Sequence, residues 1–108
     1  MVETQAIDVL HALSQETRLR IVRYLVDRGD DGASAGEIGK VVDATSSRAS
    51  FHLSALENAG VITSKRQSRS IIYRVSFECL GHVISFLLND CCGAHPDIRA
   101  CCLRGDCC

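Results

Sequence analysis

The stretch TSSRASFHLSALENAG, residues 45–60, constrains this chain more than any other. At helical spacing it puts Ala49, Leu53 and Leu56 on one side and Ser47, Ser50, Ser54 and Asn58 on the other, so one stripe is to be buried while the other stays polar. Thr45 can cap the start, because its hydroxyl accepts from a first-turn amide that has no partner inside the helix. Gly60 suits the left-handed residue that ends it. The polar side is unusual for a solvated surface: short hydroxyls from Ser46 onward, with Arg48 and His52, stand where long Lys and Glu side chains are common. Short donors allow close approach to phosphates and base edges. A serine-rich surface helix fits the same stretch taken alone, and the flanks separate the two readings.

Upstream, Ala6, Val9, Leu10 and Leu13 predict an amphipathic helix ending near Ser14. Ser14 is then expected to cap a second helix with Leu19, Val22, Leu25 and Val26 as its apolar stripe. Residues 27–32 carry turn chemistry, and Ser34 followed by Glu37 is a capping box that opens a short third helix through Val42. Asp43 and Ala44 make the turn. A short helix, a tight turn and the helix over residues 45–60 follow the order of a helix-turn-helix, whose second helix enters the major groove of DNA.

After Gly60 the period changes. Residues 61–65 and 70–75 are rich in β-branched side chains and are joined by the polar tip RQSR, which predicts a β-hairpin. Lys65, Arg66 and Arg69 lie here with no acid between Thr63 and Val75. The net charge of the whole chain is only −1, but it is unevenly spread. Residues 40–75 hold Lys40, Arg48, Lys65, Arg66, Arg69 and Arg74 against Asp43 and Glu57, a net of +4, which leaves −5 elsewhere. A hairpin tip is ordinarily just solvated. Directly after a helix-turn-helix, a basic wing against the DNA backbone is the stronger reading.

Ser76 is expected to cap a last helix with Leu80, Val83, Ile84 and Leu87 on one face and Phe86 and Leu88 off it. That is more apolar surface than one neighbour covers, which predicts a twofold homodimer through this helix and the first. Gly93 and Pro96 end it. A chain of 108 residues then divides into a DNA-binding and dimerisation domain over residues 1–90 and a cysteine-rich tail over residues 91–108. With 46% hydrophobic residues but only 5% aromatics and no Trp, the fold class expected is mainly α with a β-hairpin. The first ten residues lack a basic n-region and a long apolar run, so neither a secretory signal nor a membrane span is expected and a cytoplasmic location is.

These residues resemble the ArsR/SmtB family of metal- and metalloid-responsive repressors. The likeness is carried by Glu37-Ile38, Ser47, Ser50, His52-Leu53, Leu56, the run Ala59-Gly60-Val61-Ile62, and the wing from Arg66 to Tyr73 with Arg74, and it spans about residues 5 to 90. It implies a homodimeric winged helix-turn-helix that sits on double-stranded promoter DNA until an inducer releases it. In the arsenic sensors of that family a C-x-C-x-x-C site opens the third helix; the matching positions here are Ser34, Gly36 and Gly39, so that site is missing. The zinc sensors pair Asp/His with His/Glu on the last helix, and His82 and Glu78 stand here without that arrangement.

The tail offers thiols instead. Seven cysteines include the adjacent pairs Cys91-Cys92, Cys101-Cys102 and Cys107-Cys108. A bridge between neighbours distorts the peptide joining them, so adjacency favours another use. Thiolates are soft ligands and prefer a thiophilic centre over Mg²⁺ or Ca²⁺. As(III) or Sb(III) takes three thiolates in a pyramid, which Cys91, Cys92 and one of Cys101 or Cys102 can supply if the chain after Gly93 and Pro96 loops back. Some members of the resembled family look similar, with a vicinal pair at the end of the last helix and a third cysteine soon after. A methylated arsenical, Cd²⁺ or Pb²⁺, structural zinc and a redox switch are the alternatives for the same thiols. An enzyme is not expected: there is no Gly-rich phosphate loop, no C-x-x-C in a βαβ setting and no pair of carboxylates placed for acid-base work.

Overall fold

The computed structural model describes residues 1–104. The order is α1 (Glu3–Leu13), α2 (Glu16–Arg28), a 3₁₀ turn (Gly29–Asp31), β1 (Ala33–Ser34), α3 (Ala35–Val42), α4 (Ser46–Asn58), β2 (Ile62–Gln67), β3 (Ser70–Val75), α5 (Phe77–Ser85), a π-helical turn (Phe86–Cys91) and α6 (Pro96–Arg104). The three strands form one antiparallel sheet in the order β1-β3-β2. This is the mainly α, winged helix-turn-helix architecture expected from the sequence.

The core lies where α1, α2, α3 and α4 meet the base of the hairpin. Ile21, Leu25, Ile38, Leu53, Leu56, Val61 and Ile62 are fully buried in it. On α2 the buried stripe is Ile21, Val22 and Leu25, while Leu19 and Val26 are exposed. The stripe is thus rotated from the expected one, with Ile21 in the buried set and Leu19 and Val26 outside it. Ser14 closes α1 by donating its Oγ to the carbonyl of His11 at 2.8 Å, and Gln15 caps α2 by accepting from the Arg18 amide at 2.9 Å.

The strand β1 is not legible in the sequence, since two residues show no period. Ala33 pairs with Tyr73 and Ser34 with Ile72, which fixes the start of α3 against the hairpin. Gly32 makes this possible. Its φ is +62°, and a Cβ there would sit 2.5 Å from the Tyr73 carbonyl oxygen and 2.8 Å from side-chain carbons of Ile72 and Arg74. The capping box then forms as expected: the Glu37 amide donates to Ser34 Oγ at 3.2 Å and the Ser34 amide to Glu37 Oε1 at 3.1 Å. The Ser34 amide first, and the Ser34 hydroxyl after it, hold the Glu37 carboxyl below the usual carboxylate range.

Past α5 the chain departs from the expected single helix. Ser76 does cap it, accepting from the Cys79 amide at 3.1 Å. The Cys92 amide then reaches back to the Leu87 carbonyl, the wider spacing of a π turn, so the 3.6-residue period fails after Ser85. Val83 is buried and Phe86 packs against the core, whereas Ile84 is exposed. Gly93 and Ala94, both at positive φ, reverse the chain, the His95 carbonyl accepts from the amides of Ile98 and Arg99, and Pro96 starts α6. Arg99 and Leu103 of α6 share a cleft with Gly81, Ile84 and Leu88, so α6 folds back along α5.

Candidate nucleic-acid interface

The seat of α4 is built by residues that end α3 abruptly. Asp43 takes the left-handed conformation at φ +54°, and the Ala44 amide donates to the Gly39 carbonyl at 2.9 Å. A Cβ at Gly39 would lie 3.2 Å from the Ala44 carbonyl oxygen and 3.7 Å from the Ala49 Cβ, so glycine lets α3 and α4 approach closely. Thr45 Oγ1 accepts from the Arg48 amide at 3.3 Å, and Gly60 follows the helix at φ +85°. Ala49, Leu53 and Leu56 are buried, as the spacing required.

Burial of that stripe fixes what points out. Ser46, Ser47, Arg48, Ser50 and Ser54 are all exposed, and no hydrogen bond or ion pair among the described residues engages the Arg48 side chain. His52 differs. It is half-buried and faces α2, where its Nδ1 accepts from Arg18 Nε at 3.2 Å. Burial is the main cause that holds its pKa below the ordinary histidine value, with the charges of Arg18 and then Arg48 adding to it. Residue 52 lies one turn from Ala49 and Leu56, on the edge of the buried stripe, so it belongs to the flank of the polar face and not to its centre. Phe51 is the residue that a search for polar side chains passes over. It is 64% exposed and sits between Ser47 and Ser54 at the middle of the outward face, a position that helical spacing alone gives.

The wing is tied to this helix. Ser64 Oγ donates to Glu57 Oε2 at 2.5 Å, which links β2 to the last turn of α4. Arg74 Nε donates to the Asp30 carbonyl at 2.6 Å and anchors β3 to the turn after α2, so Arg74 is engaged inside the fold. Lys65, Arg66 and Arg69 are exposed. The register separates them. Arg66 pairs with Ile71 and lies on the same face of β2 as Ser64 and the buried Ile62, so it leaves the ribbon on the face that meets α4, while Lys65 pairs with Ile72 and leaves on the other. Arg69 lies at the tip beside Ser68, whose φ is +56°.

The cysteines are only partly gathered. Cys91 is exposed and Cys92 half-buried at the end of the π turn. Burial first, then a hydrogen bond with the Cys91 side chain and repulsion from its thiolate, pushes the Cys92 thiol up. Cys101, half-buried on α6, is disulfide-bonded; Cys79, Cys91, Cys92 and Cys102 are free thiols. The expected return loop is instead α6, which rises about 1.5 Å per residue and carries residues 101 and 102 along α5, away from Cys92. Accordingly no group of three His, Cys, Asp or Glu side chains is placed to hold a metal ion among the described residues. Cys107 and Cys108 lie outside the described residues. Burial pushes the Cys79 thiol up as well, which suits a packing residue in the cleft between α1 and α5.

No helix among the described residues is long and apolar enough to cross a membrane. Residues 13–65 match the family model described as a helix-turn-helix domain. The chain is 34% identical over 85 residues to the HTH-type transcriptional regulator YgaV of Escherichia coli (strain K12), covering 79% of this chain and 84% of that one. An ArsR-like transcriptional regulator from Rhodococcus sp. RHA1 superposes with a TM-score of 0.73 at 27% identity, over 94% of this chain and 92% of that one. The homodimeric winged helix-turn-helix DNA-binding domain Mb0332 from Mycobacterium bovis shares the fold, with a TM-score of 0.66 at 24% identity over 78% of this chain and 75% of that one. These relatives are regulators of transcription, not enzymes. The chain belongs to the ArsR-like winged helix-turn-helix transcriptional regulators, which act by binding DNA.

Proposed function

We propose that this chain is a homodimeric repressor that holds promoter DNA through α4 and the wing and lets go when a thiophilic metalloid binds its C-terminal cysteines. The observation that carries the DNA half is the unengaged polar face of α4 beside a wing free of acids. Ser46, Ser47, Arg48 and Ser50 read base edges, and Arg66 and Arg69, with Lys65 as a more distant charge, hold phosphates. The dimer rests on Ile7 and Leu10 of α1 and Phe77 and Ile84 of α5, which are large, apolar and exposed on two elements that touch. Two recognition helices then meet successive major grooves about one helical turn apart.

The inducer half rests on Cys91 and Cys92, adjacent free thiols at the end of the π turn that follows α5, with Cys91 exposed and Cys92 half-buried. As(III) or Sb(III) takes these two and a third thiolate from Cys101 or Cys102, which requires a shift of α6 and, for Cys101, reduction of its disulfide as well. Tying α6 to the end of α5 alters the subunit orientation that matches the grooves. Release by a hundredfold needs the inducer to favour the free form by about 2.7 kcal/mol. Fluorescent promoter duplex bound to the reduced protein, titrated with As(III), Sb(III), methylarsenite, Cd²⁺ and Pb²⁺, tests this. Release by the trivalent arsenic and antimony species is expected; retention of DNA with all five removes the sensing half.

A further inference from the structure

We infer that Phe51 is a base-reading residue of α4, its ring packing on the 5-methyl group of a thymine in the major groove while Arg18 of α2 holds the ring in place. The inference rests on the DNA-binding reading of α4. Phe51 is 64% exposed at the centre of an otherwise polar face, and the buried residues of the helix, Ala49, Leu53 and Leu56, lie on the opposite side. Its neighbours one turn away are Ser47 and Ser54, with Ser50 beside it, so the ring stands above short hydroxyls.

The ring is also braced. The Arg18 guanidinium carbon lies 5.6 Å from its centroid, within reach of the π face, and the His52 ring meets it edge-on at 5.7 Å and 66°. Arg18 and His52 are bonded to each other at 3.2 Å, so the two braces fix one another. A preorganised apolar ring on a face that enters the major groove has one apolar feature to meet there. The thymine methyl is the group that distinguishes that base, and no other unmodified base offers it. Wedging between base steps belongs to minor-groove binders, whereas a helix of this width fits the major groove.

The test uses duplexes selected from a randomised pool by the full-length wild-type protein. Each thymine is replaced in turn by deoxyuridine, which removes only the methyl group. One position per half-site should weaken wild-type binding about fourfold for each methyl removed. Phe51→Ala should bind thymine and deoxyuridine duplexes equally, and Phe51→Leu should keep part of the difference. A wild-type far-ultraviolet circular dichroism spectrum and a cooperative thermal transition of Phe51→Ala show that the variant is folded. No sensitive thymine in wild type, or an unchanged deoxyuridine profile in Phe51→Ala, overturns the inference. A wild-type chain that binds no duplex even at low salt overturns the DNA-binding reading itself, and the two failures are thereby distinct.

Discussion

Arg18 on α2 donates Nε to Nδ1 of His52 on α4 over 3.2 Å, and this bond joins the second helix to the fourth. An acceptor nitrogen has to be unprotonated, so the bond exists only with neutral His52. Burial first, and the charges of Arg18 and Arg48 after it, depress the His52 pKa and so favour the neutral form that the bond needs. A histidine whose folded pKa lies below the unfolded value, near 6.5, contributes stability that is fully present above that value and is lost as pH falls through it toward the folded pKa.

Chemical denaturation between about pH 8 and pH 5.5 measures this. Wild type should lose more stability on acidification than His52→Gln, whose amide oxygen still accepts from Arg18. Parallel curves for the two proteins would mean that His52 is not the group that titrates.

Gly32 sets where β1 meets β3. Both its left-handed φ and the 2.5 Å approach to the Tyr73 carbonyl exclude a Cβ, so Gly32→Ala should cost about 2 kcal/mol or more. Gly29, at φ +57° with open space where a Cβ would lie, is the control: Gly29→Ala carries only the backbone strain, about 1 kcal/mol. Equal losses in a urea titration would show that the close approach to β3 contributes nothing.

Within the proposed sensing site, Cys91→Ser and Cys92→Ser should each bind DNA like wild type yet lose release by As(III), since a hydroxyl is a hard, poor ligand for this centre. Cys101→Ser and Cys102→Ser identify the third ligand by which one weakens the response. A Cys91→Ser/Cys92→Ser double variant that still leaves DNA on adding As(III) places sensing elsewhere in the chain.

Where a residue's role depends on local spacing, the sequence is a good guide. The Thr45 cap, the Ser34–Glu37 capping box, the stripe Ala49-Leu53-Leu56 and the hairpin each follow from patterns a few residues long. What depends on long-range geometry is not legible. His52 bonds a residue 34 positions away, the hairpin register puts Lys65 and Arg66 on opposite faces, and β1 is too short to show a period. The tail departs from expectation because Gly93 and Pro96 do more than stop a helix: a reversal at Gly93 and Ala94, followed by Pro96 in the first turn, starts α6. Phe51 escapes notice because its importance lies in being the apolar member of a polar face.

The claim that α4 and one face of the wing form a single DNA surface is tested most directly by the salt dependence of binding to a promoter duplex for wild type, Arg66→Ala and Lys65→Ala. Loss of one neutralised phosphate removes about 0.9 from the slope of log K against log salt, or roughly 1.8 for a dimer. Arg66 leaves the ribbon on the face joined to α4 through Ser64 and Glu57, and Lys65 on the other. Arg66→Ala should therefore lower the slope by close to the full dimer value and Lys65→Ala by clearly less. Equal slopes for all three proteins would contradict the account.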